Sequence, residues 1–381
     1  MKKIKVIHLP TTVGGNPQGI SKHLNEINVD SQTWTFEQNY LSYPVDKVIK
    51  EQGQSFIIGE FKRILALSYI FKADIVFYNY GSGMFKPFMG LNKKKYSAVG
   101  SALFYIYSLY SGLMASLEVG LCRLFNKPIF IQYQGDDARQ GDFCKAKFKI
   151  TFANRVDEGY YNPASDNAKR KSINFYAKKT SKIYSLNPDL LHVLPESAEF
   201  LPYSSISLVE WAESYNQLED RPLRIGHAPS NRAVKGTELI LKAVDDLRLS
   251  GFNFELVLVE GVSNIEAKEI YKTIDVLVDQ LFAGWYGGLA VELMALGKPV
   301  IAYIREEDLH FLPDQMRADL PIIQAEPNAI HDVLKTILRM PRTELLEIAK
   351  LSRAYVEKWH DPKKIAQRIK ADMQFTLSMK K

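Results

Sequence analysis

The chain has 381 residues, 46% of them hydrophobic and 24% charged, with 22 glycines and 17 prolines, which is a globular composition and excludes a disordered, collagenous or disulfide-stapled protein. It is too long for a single small module and provides for two or three domains. The net charge of +6 is uneven, since residues 1–200 carry 26 lysines and arginines against 17 acidic residues and the remainder carries 23 against 26; only the first half offers a basic surface.

Met1 is followed by Lys2, Lys3 and Lys5 and then by VIHL, an apolar run that Pro10 interrupts. This run is too short for a secretory signal and reads as a buried first strand, so the chain is expected to stay in the cytoplasm. Further strand candidates are DIVFYNY (74–80), PIFIQYQ (128–134), KIYSLN (182–187), RIGHAP (224–229), NFELVLVEG (253–261), IDVLVDQ (274–280) and KPVIAYI (298–304). Longer amphipathic stretches separate them, the pattern of α/β units with parallel sheets. Two doubly wound, Rossmann-like domains follow, over 1–195 and 223–355. A proline- and serine-bearing linker spans 196–222, and a C-terminal helix lies within 356–381.

Cys122 and Cys144 have no Cys-x-x-Cys spacing, which excludes a disulfide framework and a thiolate zinc site and favours a reducing compartment. The clusters Lys93–Lys95 and Lys145, Lys147, Lys149 could face an anionic membrane, an acidic substrate or nucleic acid, or be solvated lysines. No stacking or groove-reading motif interleaves with them, so nucleic acid is not an expected partner. Residues 97–117 carry no charge and are long enough to span a bilayer. Their serines, tyrosines and glycines lower the mean hydropathy, so a buried helix, or one resting on lipid beside the lysines, is expected instead.

Doubly wound sheets bind ligands beyond the carboxyl ends of their strands. After the first strand, Gly14, Gly15 and Gly19 either let backbone approach a ligand or form a tight turn, and no Gly-x-Gly-x-x-Gly fingerprint is present. After PIFIQYQ, the loop GDDAR places Asp136, Asp137 and Arg139 together. A carboxylate there could bind or deprotonate a hydroxyl while Arg139 holds the loop or a phosphate; the alternative is a helix cap with a surface ion pair.

The second half carries more. RIGHAP leads into a loop with Ser230, Asn231, Arg232 and Lys235, then a helix near Gly236, so two cations meet a helix start at a strand's carboxyl end and fit a diphosphate. His227, on that strand, could contact the same ligand or be a core histidine bonded to backbone. After IDVLVDQ, the loop carries Trp285, Tyr286, Gly287 and Gly288 and opens a helix near Leu289. The two glycines leave amides uncovered for an anion, and Glu292 could accept hydrogen bonds from paired ribose hydroxyls.

GHAPSNRAVKGTE, followed some fifty residues later by GWYGGLAVELMALGKPVIA, resembles the nucleotide-binding half of GT-B-fold retaining glycosyltransferases of the group 1, family four type. The resemblance implies two domains facing a cleft, with the acceptor on the first and a nucleotide-diphosphate sugar on the second. Arg232 and Lys235 would then hold the diphosphate and act catalytically together with Asp136. Glu292 would hold the ribose, while Gly14, Gly15, His227, Ser230, Asn231, Tyr286, Gly287 and Gly288 surround the donor. Asp137 and Arg139 would face the acceptor, and the C-terminal helix would pack back on the first domain. One departure is plain: these proteins carry a second glutamate eight residues before the first, where this chain has Gly284.

The expected activity is retaining, metal-independent transfer of a sugar to a saccharide or lipid-linked acceptor, in bacterial surface polysaccharide synthesis at the inner face of the membrane. No cofactor beyond the co-substrate is expected; Asp136-Asp137 lacks divalent-site spacing and the histidines are dispersed. The rival readings are a sugar-nucleotide epimerase or phosphorylase on the same scaffold, and a non-catalytic binding subunit.

Overall fold

A computed structural model describes residues 3–11, 14–38, 43–92, 96–157, 159–218 and 220–380. Thr12 and Val13 of the glycine loop and the cluster Lys93–Lys95 lie outside the described residues. The chain divides into two compact units, one made of Met1–Cys144, Glu158–Ser205 and Pro362–Lys381, the other of Lys145–Asp157 and Ile206–Asp361. This differs from a division at residue 195. Lys145–Asp157 belongs to the second unit because Phe148 lies under the Arg305 guanidinium at 3.7 Å and the Ile150 carbonyl accepts from Arg305 Nη2 at 3.0 Å.

The first unit holds a seven-stranded, all-parallel sheet of β1 (Lys5–Leu9), β2 (Asp30–Thr35), β3 (Lys47–Val48), β4 (Ile75–Asn79), β5 (Ile129–Tyr133), β6 (Lys182–Ser185) and β7 (Ala198–Phe200), in the order β3-β2-β1-β4-β5-β6-β7. β7 falls inside the stretch expected to be linker. The second unit holds five parallel strands, β8 (Leu223–His227), β9 (Phe254–Leu258), β10 (Val276–Val278), β11 (Val300–Ala302) and β12 (Ile323–Gln324), in the order β12-β11-β10-β8-β9. Each sheet is doubly wound. Its order reverses once, between β1 and β4 in the first unit and between β8 and β10 in the second, and a crevice opens beyond the strand ends at such a point.

Both faces of the first sheet are covered, as central parallel strands require. One face packs with Tyr69, Phe85, Ala115 and Val119; on the other, Ile20 and Leu24 meet Ile365, Ile369 and Met373 of the C-terminal helix Pro362–Ser378. That helix is fixed by Tyr184 Oη donating to Asp372 Oδ2 at 2.5 Å and Lys370 Nζ to the Ile27 carbonyl at 2.6 Å. Close approach explains Gly19, where a Cβ would sit 2.0 Å from the Ser204 carbonyl oxygen.

The uncharged stretch forms the helix Ala98–Leu124, capped by the Ser97 side chain and long and apolar enough to cross a membrane by length and composition. It is not a core helix. Only Ser111, Ala115, Glu118, Val119 and Cys122 are buried, and its outer stripe faces solvent.

Candidate functional site

In the second unit the reversal point lies where the chain leaves β8 and β10, and two polar loops meet there. After β8, Asn231 Oδ1 accepts from the Val234 amide at 3.2 Å and starts a one-turn helix, Arg232–Lys235. Gly236 then takes a left-handed conformation (φ 81°) and the helix Thr237–Leu249 begins. This turn drives Lys235 inward, where it is 9% exposed and its Nζ donates to Asp279 Oδ1 at 2.6 Å. Asp279 follows β10, is 1% exposed, and with Oδ2 accepts from the Gly287 amide at 2.7 Å.

Gly287 caps the helix Gly288–Ala295. One carboxylate therefore clamps the cation of the first loop against the helix start of the second. The Gly287 amide is already used, and the next two, of Gly288 and Leu289, have no intrahelical acceptor by their position. Glu292 lies one turn on and is half-buried. Burial raises its pKa to about 7 against the opposing pull of Lys268, so it is neutral or charged according to what approaches it.

The structure brings Lys235, Gly287, Gly288 and Glu292 together and sets other expected residues apart. Arg232 is exposed and turned to Glu260, which it meets through Nε at 2.9 Å and Nη2 at 2.7 Å. Ser230 is exposed and Asn231 is a helix cap. His227 corrects the expectation of a donor contact: fully buried, it donates from Nδ1 to the Val278 carbonyl (2.8 Å) and accepts at Nε2 from Thr237 Oγ1 (2.8 Å). Burial lowers its pKa, and the neutral ring ties β8 to β10. Tyr286 is likewise a core residue, its hydroxyl between Tyr355 Oη at 3.0 Å and His360 Nε2 at 2.8 Å.

Gly284 has a physical reason as well. At φ 80°, its Cβ would stand 2.5 Å from the guanidinium carbon of Arg305, which is 3% exposed and paired with Asp308 at 2.7 Å. A glutamate there would displace a buried ion pair.

In the first unit the expected acidic loop divides its roles. Asp136 accepts from Tyr160 Oη, from Tyr161 Oη at 2.5 Å and from Arg139 Nη1 at 3.3 Å. Burial opposes its charge, but Arg139 and the two phenols outweigh burial and hold it below the usual carboxylate range. A carboxylate so saturated is a poor base, which corrects its expected catalytic role. Arg139 is spent on Asp189, through Nε at 2.7 Å and Nη2 at 3.1 Å, and so corrects the expectation of an acceptor contact.

Asp137 differs. It folds under the amides of Gln134 (3.0 Å) and Gly135 (2.7 Å) and, despite them, burial pushes its pKa up to about 6. It lines a cavity of about 380 Å³ with Tyr80, Ser82, Lys86 and Lys169. Tyr80, Ser82 and Lys86 also line a neighbouring cavity of about 390 Å³ that reaches Pro10 and Thr11 at the β1–β4 reversal point. Gly14 and Gly15, both left-handed (φ 61° and 69°), start the helix Asn16–Glu26 in this unit.

Sequence reasoning missed Asp279, Glu260, Tyr80, Lys86 and Lys169. Asp279, Tyr80 and Glu260 had a signal, each a polar side chain at the carboxyl end of a strand candidate, whereas Lys86 and Lys169 follow no spacing. Among the described residues, no three His, Cys, Asp or Glu side chains form a metal-binding group.

No protein-family profile matches the chain, and no curated protein matches it in sequence. Solved structures match in fold. A sucrose-phosphate synthase from Thermosynechococcus elongatus is similar at a TM-score of 0.61 and 13% identity, over 99% of this chain and 100% of its own. WaaG, a glycosyltransferase involved in lipopolysaccharide biosynthesis, reaches 0.54 at 14% identity, over 96% and 99%. A UDP-N-acetylglucosamine 2-epimerase reaches 0.52 at 13% identity, over 99% and 98%. The chain has the GT-B fold of two parallel-sheet, Rossmann-like units, and at these identities the likeness is one of fold.

Proposed function

We propose that this chain is a retaining, metal-independent glycosyltransferase that moves a hexose from a nucleotide-diphosphate sugar to a saccharide or lipid-linked acceptor in bacterial surface polysaccharide synthesis. It would work in the cytoplasm, at the inner face of an anionic membrane. The observation that carries this reading is the convergence of Lys235, the helix start at Gly288 and the half-buried Glu292 at the reversal point of the second sheet. A fixed cation with two open amides suits a diphosphate, and a carboxylate one turn along suits the ribose diol. Arg232, on its exposed ion pair with Glu260, is placed to exchange that partner for a phosphate.

In the reaction so proposed, the bond from the anomeric carbon to the diphosphate oxygen breaks and a bond to the acceptor oxygen forms. The acceptor proton passes to the departing phosphate on the same face, giving retention. Lys235 and the Gly288 helix start stabilise the growing phosphate charge. Glycosyltransferase neighbours in the same fold support the transfer reading, and the lipopolysaccharide enzyme among them supports the polysaccharide setting.

The epimerase of the same fold supports the rival. Purified protein given a panel of nucleotide sugars decides between them. Binding of one donor raises the melting temperature in proportion to ln(1 + [L]/Kd), and transfer to an added saccharide acceptor, with release of the nucleoside diphosphate, is expected. Epimerised donor formed without acceptor would overturn the proposal in favour of the rival.

Asp137 takes the acceptor hydroxyl in this reading, as the cavity-lining carboxylate with a raised pKa. Only its ionised form accepts that hydrogen bond with both oxygens, so acceptor KM is expected to rise as pH falls through about 6 while donor affinity holds. The pH dependence of acceptor KM disappears in Asp137→Asn, and its survival there would remove Asp137 from the acceptor site.

A further inference from the structure

The helix Phe56–Ala66 and the helix Ala98–Leu124 lie side by side and are built inside out. Their polar groups point at each other: Arg63 Nη1 donates to Tyr107 Oη at 2.8 Å and Glu60 Oε1 at 2.9 Å, Tyr107 Oη donates to Glu60 Oε1 at 3.1 Å, and Phe56 packs on the Tyr107 ring at 5.5 Å. Their apolar groups point outward. On the shorter helix Ile57 is 79%, Phe61 62% and Leu65 57% exposed.

On the longer helix Val99, Leu103, Ile106, Leu109, Leu113 and Leu117 are 49–73% exposed. Their spacing of three and four residues draws one continuous stripe, along a helix about 40 Å long. Phe71 and Phe125, in edge-to-face contact at 4.8 Å and both exposed, extend the face at its far end. A soluble surface helix shows the reverse pattern, and an apolar patch of this extent marks an interaction surface.

Charge selects the occupant. Residues 47–127 carry 11 lysines and arginines against 4 acidic residues. Of those acids, Glu118 is buried and Glu60 is paired with Arg63 inside the helix couple, which leaves ten cations against Glu51 and Asp74. Exposed Lys72 and Arg123 flank the Phe71–Phe125 end. Apolar and aromatic side chains rimmed by cations complement a bilayer with anionic headgroups, whereas a second copy would set these cations against one another. The helix lies along the bilayer rather than through it, because Ala115, Glu118, Val119 and Cys122 anchor it to the sheet.

We infer that this two-helix face docks the protein flat on an anionic lipid surface. The inference deepens the membrane contact proposed above and rests on that reading for its setting. The same helices give Arg63, Tyr107 and Ser111 to the wall of the larger cavity of the first unit, so docking brings a membrane-borne acceptor within one helix diameter of it.

The test is flotation of the full chain with vesicles of phosphatidylcholine alone or mixed with phosphatidylglycerol, which requires no transfer activity. The wild type is expected to float with the anionic vesicles and to be released by salt, with at least about tenfold weaker binding in Ile57→Glu/Ile106→Glu/Leu113→Glu. These positions are exposed, and an unchanged circular dichroism spectrum and UDP thermal shift verify the fold. As an independent readout, Ile106→Trp fluorescence is expected to shift blue on anionic vesicles. A wild type indifferent to vesicles, a triple variant that binds equally well, or a wild-type dimer that the triple variant turns into monomer would each overturn the inference. Absence of any nucleotide binding would refute the donor reading and leave the vesicle result standing.

Discussion

Lys235→Ala is expected to lower sugar transfer by about a hundredfold or more, the usual loss when a preorganised group facing the departing charge is removed. The geometry makes this residue hard to replace. It is the buried cation at the reversal point of the second sheet, its Nζ is held 2.6 Å from Asp279, and the same carboxylate fixes the Gly287 amide. In the proposed reaction, a diphosphate arriving at Gly288 would meet a cation already fixed in place by Asp279.

The variant also has a structural cost. Asp279 would remain buried with its charge unpaired, at about 3–5 kcal/mol, and loss of activity could then be loss of fold. Lys235→Met/Asp279→Asn separates the two effects. It removes both charges together and is expected to recover most of the melting temperature while transfer stays low. Initial rates at saturating donor, read beside thermal denaturation of both variants, make the comparison. Near-normal turnover in Lys235→Ala, or transfer that returns along with stability in the double variant, would refute the assignment.

The part of this site that could be read from sequence is the part that rests on strand ends. Lys235 and Gly287 both follow apolar runs that became β8 and β10, and position beyond a parallel strand is a local property. Eight strands were legible in the same way. β2 was not, because DSQTWT buries Ser31, Thr33 and Thr35, and the hydroxyls of Thr33 and Thr35 find partners 13 and 25 residues away, Asp46 Oδ2 at 3.0 Å and the Pro10 carbonyl at 3.2 Å. β3 and β12, two residues each, are too short to carry a period.

The residues that misled are those whose partners lie far along the chain. Tyr286 answers to Tyr355 and His360, Arg139 to Asp189, and Asp136 to Tyr160 and Tyr161. A polar side chain beside a glycine loop looks the same in sequence whether it faces a ligand or a core partner dozens of residues away. Strand order was hidden for a related reason, since a crossover can return on either side of the sheet and only long-range packing decides which.

A large effect is also expected at Glu118, the one acid in the long apolar helix. Its carboxylate is fully buried and accepts from Tyr69 Oη at 2.7 Å, the Met84 amide at 2.8 Å and the Phe85 amide at 3.1 Å. It thus ties the outward-facing helix to the loop after β4 that lines the first unit's cavities. Glu118→Ala strands the Met84 and Phe85 amides, each at about 1–3 kcal/mol, and leaves Tyr69 Oη only the Tyr78 hydroxyl at 3.1 Å, so it is expected to cost about 3 kcal/mol or more.

Glu118→Gln keeps one acceptor oxygen and costs less, and it also exposes the proton linkage. Burial raises the Glu118 pKa in the folded state, against the lowering effect of the bonds from Tyr69, Met84 and Phe85. For a raised carboxyl, the linked stability is present below the unfolded pKa and is lost as pH rises through the folded one. The advantage of wild type over Glu118→Gln in urea denaturation is therefore expected to shrink as pH rises through the range above the ordinary glutamate pKa. An advantage that grows over that range would mean the carboxylate is favoured in its charged form. The three donors would then have to outweigh burial, and the helix anchor would be a charge-assisted clamp instead of a neutral one.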